Sequence, residues 1–177
     1  MKNKSTLLKL LSFLFVIPCF IIPFVKIFIG QVVTNNSISN VGEFGVFADY
    51  TDFNTLNFKT RGANISTIWM VLVSVLIIIV AILALAYITT LLMELFKVKC
   101  KSIEKIQKAL SMLILVCSIL AFVLSIITIC VNKVTGTLGS TAKLSFAIGP
   151  WLLLFPIVAG IIGSITPKVK TKKSKKK

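Results

Sequence analysis

The chain has 177 residues, 56% of them hydrophobic, with a mean hydropathy of +0.99 and a formal charge of +15 from 20 Lys and Arg against 5 acidic residues. That apolar share exceeds the roughly 45–50% of soluble domains and is gathered into four long runs, which excludes a chain built around one water-soluble core. The sequence holds no His, no Cys-x-x-Cys pair and no Gly-rich phosphate loop, so no metal, no cofactor and no enzymatic role are expected.

Residues 1–9 carry Lys2, Lys4 and Lys9 and read as a short cytoplasmic end. Residues 10–29 form the first apolar run, kinked by Pro18 and Pro23. A basic start before an apolar run also fits a signal peptide. The run, however, continues through Phe24 with no A-x-A site, so it is read as a retained span. Pro18 ahead of Cys19 likewise does not suit a lipoprotein site. Lys26 lies near the outer end of this span, from where it can snorkel to the headgroups.

Residues 30–65 are the longest polar stretch and read as an outer loop. It opens with the turn-rich Thr34-Asn35-Asn36-Ser37. From Glu43 to Phe53 apolar and polar residues roughly alternate, which predicts short strands with one apolar face. Phe44, Phe47, Tyr50 and Phe53 in this stretch are candidate partner-binding residues; the alternative is a loop that covers its own bundle. Asn35 and Asn64 each open an Asn-x-Ser acceptor pattern.

Residues 66–96 form the second span, longer than the roughly 20 residues a bilayer requires, so it must tilt or project. Glu94 stands near its inner end, close in sequence to Lys97. Lys26 and Glu94 fall in opposite leaflets and are not expected to pair. Neither sits at mid-depth, where a coupled carrier keeps its polar relay. The 97–108 segment holds Lys97, Lys99, Lys101, Lys105 and Lys108, and among them Cys100, a juxtamembrane candidate for palmitoylation.

Residues 109–131 form the third span. Residues 132–143, rich in Gly, Ser and Thr, read as a flexible outer connector. Residues 144–165 are the fourth span, kinked at Pro156. The tail, 166–177, carries Lys168, Lys170, Lys172, Lys173, Lys175, Lys176 and Lys177. It reads as a disordered polybasic segment, a topology determinant and a candidate for binding anionic lipids of the cytoplasmic leaflet. Phosphorylation of Thr171 or Ser174 would weaken that attraction, and Lys173 with Lys175 fits a dilysine-type pattern.

With 15 of 20 basic residues in the first end, the middle loop and the tail, the positive-inside rule places both termini in the cytosol. The cations flank apolar spans, which points to the lipid surface rather than to nucleic acid. Small residues recur within the spans. Ser74 and Ala81, then Ser111, Ser118 and Ser125, repeat at seven-residue intervals, and Gly160 and Gly163 cluster in the last span. Such residues let helices approach closely in lipid, and their hydroxyls can bond across the seam. The alternative is a hydrophilic pore lined by the serine stripe.

These features describe an all-α membrane protein, a four-transmembrane helix bundle with a small strand-like first extracellular loop. The layout resembles the claudin and PMP22-like superfamily, with Glu43-Phe44-Gly45-Val46-Phe47 standing nearest to that family's Trp and Gly-Leu-Trp stretch. Phe takes the place of Trp, and the family's two loop cysteines are missing, so a disulfide-pinned sheet is not expected. The resemblance implies a left-handed bundle, side-by-side assembly and a role in cell contact or as an accessory subunit. The function expected is that of a non-enzymatic tetraspan scaffold, cell-contact protein or accessory subunit at the plasma membrane, as a homo-oligomer or within a larger membrane complex; the alternative is a small oligomeric channel or transporter.

Overall fold

The computed structural model describes residues 2–34, 37–46, 67–96, 102–131, 134–135 and 141–165. Phe47, Tyr50, Phe53, Cys100 and the tail lysines Lys168, Lys170, Lys172, Lys173, Lys175, Lys176 and Lys177 lie outside the described residues. The chain is mainly helical. Helix α1 covers Lys2–Val16 and continues into 3-10 turns at Ile17–Phe20 and Ile22–Phe24. The long helices are α2, Thr67–Leu95, and α3, Ile103–Val131. A short α4, Gly149–Leu152, leads directly into α5, Leu154–Ile165. The strands are β1 (Lys26–Thr34), β2 (Ser37–Gly45), β3 (Val134–Thr135) and β4 (Thr141–Phe146).

Among the described residues three stretches are long and apolar enough to cross a membrane: Leu7–Phe24, Ile68–Leu95 and Ile103–Val131. The apolar helical stretch Gly149–Ile165 is shorter. Pro156 lacks the N–H that would bond the Leu152 carbonyl, which accounts for the break between α4 and α5.

Two boundaries differ from the sequence reading. The first helical run ends at Phe24, not at Ile29, because Pro18 and Pro23 tighten it into 3-10 turns and the chain then becomes extended. Ile27, Phe28 and Ile29 belong to a strand. A short apolar run of this kind fits a membrane helix and a buried strand equally well. The second correction concerns the connector and the start of the fourth span. Residues 141–146 form β4, and helix begins only at Gly149, with Pro150 in its first turn.

The strands make one antiparallel sheet in the order β2-β1-β4-β3. β1 and β2 form a hairpin with Thr34 opposite Ser37, so the turn-rich stretch does separate two strands. β4, from the far end of the sequence, pairs with the other edge of β1, Phe28 opposite Phe146 and Val33 opposite Thr141. Residues 26–45 and 134–146, which flank the two long helices, therefore contribute to one sheet. Strand formation begins earlier than Glu43, the residue at which alternation becomes clear in the sequence.

One face of the sheet packs on the helices. Phe28, Phe44, Val46 and Leu144 join Met70, Val73 and Ile77 of α2, Ala121 of α3, and Ile22 and Leu153 in one apolar cluster. Ile77 and Ala121 each lie ten residues from the sheet-side end of their helix. About 15 Å of α2 and α3 lies between those residues and the sheet-side helix ends, and Met70 and Val73 in these turns of α2 share the cluster with the sheet. Gly149 closes the joint: a Cβ there would lie 2.9 Å from the Lys26 carbonyl oxygen.

Below the sheet, α1 packs along α5, α5 along α3 and α3 along α2, whereas α1 and α2 touch less. The α2–α3 seam uses Met70, Val73, Ile77, Val80, Ala84 and Tyr87 against Gln107, Ser111, Ile114, Ser118, Ala121, Ser125 and Thr128. Buried positions alternate by three and four residues, the 3.5-residue period of left-handed coiled packing.

Candidate functional site

The seven-residue serine pattern of α3 is buried between helices. Ser111, Ser118 and Ser125 are at most 1% exposed. Their hydroxyls do not bridge the seam as the sequence reading anticipated. Ser111 donates to the Lys108 carbonyl at 2.9 Å and Ser125 to the Ala121 carbonyl at 2.8 Å, each within α3. Ser74 likewise donates to Met70 on its own helix. A helix backbone carbonyl one turn back is an available acceptor for a serine hydroxyl, and Ser74, Ser111 and Ser125 use it. Among the described residues Ser118 Oγ is the buried side-chain polar atom that has no hydrogen-bond partner.

Gly160 and Gly163 let α5 close on α3. A Cβ at Gly160 would lie 2.6 Å from Leu115 Cβ and 2.9 Å from the Ser111 carbonyl oxygen. At Gly163 it would lie 2.6 Å from Ser111 Cβ and 3.4 Å from the Tyr87 hydroxyl. Ala81 behaves differently from the other small residues. It is part of an apolar groove of about 260 Å³ beside Phe20, Pro23, Phe24, Ile78, Ile82 and Leu85. It sits one position past Val80, on the side of α2 that faces α1 rather than in the α2–α3 seam.

A polar cluster lies at the end of the bundle away from the sheet. Lys9 Nζ is 2.6 Å from both Glu94 carboxylate oxygens. Gln107 Nε2, on α3, donates to Glu94 Oε2 at 3.0 Å and to the Thr90 carbonyl at 3.3 Å. One turn deeper, Ser12 Oγ donates to the Lys9 carbonyl at 2.8 Å and lies 3.0 Å from the Tyr87 hydroxyl. Serine has a single proton, so in this pair Tyr87 is the donor. The cation on Glu94 comes from another helix, 85 residues away. Lys26 and Glu94 do not meet, because Lys26 forms an ion pair with Glu43 across the β1–β2 hairpin.

Phe44 is not available to a partner. Its ring is buried, its centroid 6.1 Å from that of Phe28, directly opposite in the sheet register. Alternation correctly gave it an apolar face, and that face is turned onto the bundle.

Among the described residues no three His, Cys, Asp or Glu side chains are grouped to hold a metal ion, and Cys19, Cys117 and Cys130 are free. No family model, curated protein or solved structure matches this chain.

Proposed function

We propose that this is a four-span integral membrane protein that acts by lateral assembly, as a non-enzymatic scaffold, cell-contact protein or accessory subunit. The observation that carries the reading is the closed interior. The polar stripe that could have lined a pore, Ser111, Ser118 and Ser125, is sealed between helices. Among the described residues this stripe is therefore closed to water within a single copy, while a ring of exposed apolar side chains such as Ile82, Leu85, Leu113 and Val116 faces outward, as lipid-facing helices require.

The fourth span in this reading is Gly149–Ile165. Its 17 residues reach about 25 Å, short of the roughly 30 Å hydrocarbon core, a gap that local thinning or snorkelling absorbs. The sheet then lies outside, with both termini and the Lys97–Lys108 segment in the cytosol, where fifteen cations favour them. The claudin and PMP22-like layout remains part of the proposal, supported by the 3.5-residue period of the α2–α3 seam and by a sheet standing on the helix ends.

Cross-linking in native membranes, followed by purification in mild detergent, tests this reading. Discrete oligomers or a stoichiometric partner are expected, with no ion flux above that of empty liposomes after reconstitution. Flux carried by the purified protein would replace this reading with the channel or transporter.

A further inference from the structure

Helix α1 is held by hydrocarbon on one side and by polar contacts on the other. Along α5 the contact is apolar, with Phe15 and Phe155 ring centroids 6.1 Å apart. Toward α2 it is tied at the end away from the sheet by Lys9–Glu94 and Ser12–Tyr87. Nearer the sheet the same seam opens into the apolar groove between Phe20, Pro23 and Phe24 and the middle of α2. The seam is closed where it is polar and open where it is apolar.

Glu94 also has partners on two helices. Gln107 is nearly buried and already donates to the carboxylate, so withdrawal of Lys9 leaves Glu94 hydrogen-bonded to a fixed side chain. The Glu94 side chain is about two-fifths exposed, so the ion pair is a weak tie of the surface kind, and the amide on α3 with solvent keeps the carboxylate satisfied when Lys9 withdraws. The helix that would move is the one that carries Lys9, because α5 is locked onto α3 through Gly160 and Gly163.

We propose that the α1–α2 seam is a latch: Lys9–Glu94 holds α1 shut, Gln107 is the standby partner of Glu94, and release lets α1 pivot on α5, joining the groove to a slot along the whole seam.

The test places spin labels at Leu7→Cys on α1 and Leu92→Cys on α2, both exposed positions, in the full chain with its four cysteines replaced by alanine and reconstituted into liposomes. With Lys9 and Glu94 intact, one narrow distance distribution is expected. Glu94→Gln should lengthen and broaden it by more than the roughly 1–2 Å of ordinary helix adjustments, and the exchanged pair Lys9→Glu with Glu94→Lys should restore it. In thermal unfolding, Lys9→Gln should lower Tm further when Gln107→Ala is also present than when Gln107 is intact, beyond simple additivity. An unchanged distribution in Glu94→Gln, an exchanged pair as broad as Glu94→Gln, or strictly additive Tm losses would overturn the latch.

Discussion

Gly160 stands against Leu115 with no room for a methyl group: a Cβ placed on it would lie 2.6 Å from Leu115 Cβ and 2.9 Å from the Leu115 Cα. The contact is backbone against backbone, so no side-chain rotation relieves it. Gly160→Ala must push α5 off α3, and overpacking of this kind costs about 1–3 kcal/mol. Thermal unfolding in detergent should show a clear fall in Tm, and a Tm equal to that of the parent chain would contradict the close approach of the two helices.

Ser118 should behave in the opposite way. Its Oγ is fully buried without a partner, and an unsatisfied buried hydroxyl costs on the order of 1–3 kcal/mol. Ser118→Ala keeps the shape and removes the orphan, so Tm should hold or rise. Ser125→Ala, which deletes a made hydrogen bond to Ala121, should gain nothing. If Ser118→Ala were the more destabilising of the two, a polar partner of Ser118 would have to exist in the membrane.

The pairing of β1 with β4 is open to a direct check. Ile29 faces Ser145 across β1 and β4, and opposed residues in antiparallel strands are within the Cα range of a disulfide. Ile29→Cys with Ser145→Cys should therefore oxidise to a cross-link, seen by mass spectrometry as one joined peptide. Persistent free thiols under oxidising conditions would mean that β4 does not pair with β1.

Phe28 is the sheet's anchor, fully buried and stacked near Phe44. Phe28→Ala should cost about 3–5 kcal/mol, loosening the sheet from α2 and α3 while leaving the α2–α3 seam intact. The expected signature is early proteolysis within residues 26–46 with the long helices still protected. Uniform loss of protection across the chain would show that sheet and bundle unfold as one unit.

Orientation has its own readout at Cys100. A membrane-impermeant maleimide added to intact cells should leave it unmodified, and should label it after permeabilisation. Labelling in intact cells would reverse the inside–outside assignment drawn from the lysines.

The sequence by itself determined the long apolar helices, because uninterrupted runs such as Ile68–Leu95 have no other way to satisfy their backbone in lipid. It also determined the small-residue face of α3, because a seven-residue interval returns to one side of a helix whatever surrounds it. The alternation Thr141-Ala142-Lys143-Leu144-Ser145-Phe146 was passed over, because its first half reads as a flexible connector and its second half merges with the apolar run that follows. What tertiary structure decided is partnership. Lys9 with Glu94, β4 with β1, and Leu115 with Gly160 are far apart in the chain, and nothing local in either partner points to the other. Ile27 to Ile29 became a strand rather than helix because Pro23 ended the helix and both flanks of β1 found strands to pair with. Local pattern settles which face of an element is apolar; only packing settles what that face meets, because contact energy depends on separation in space and not on separation along the chain.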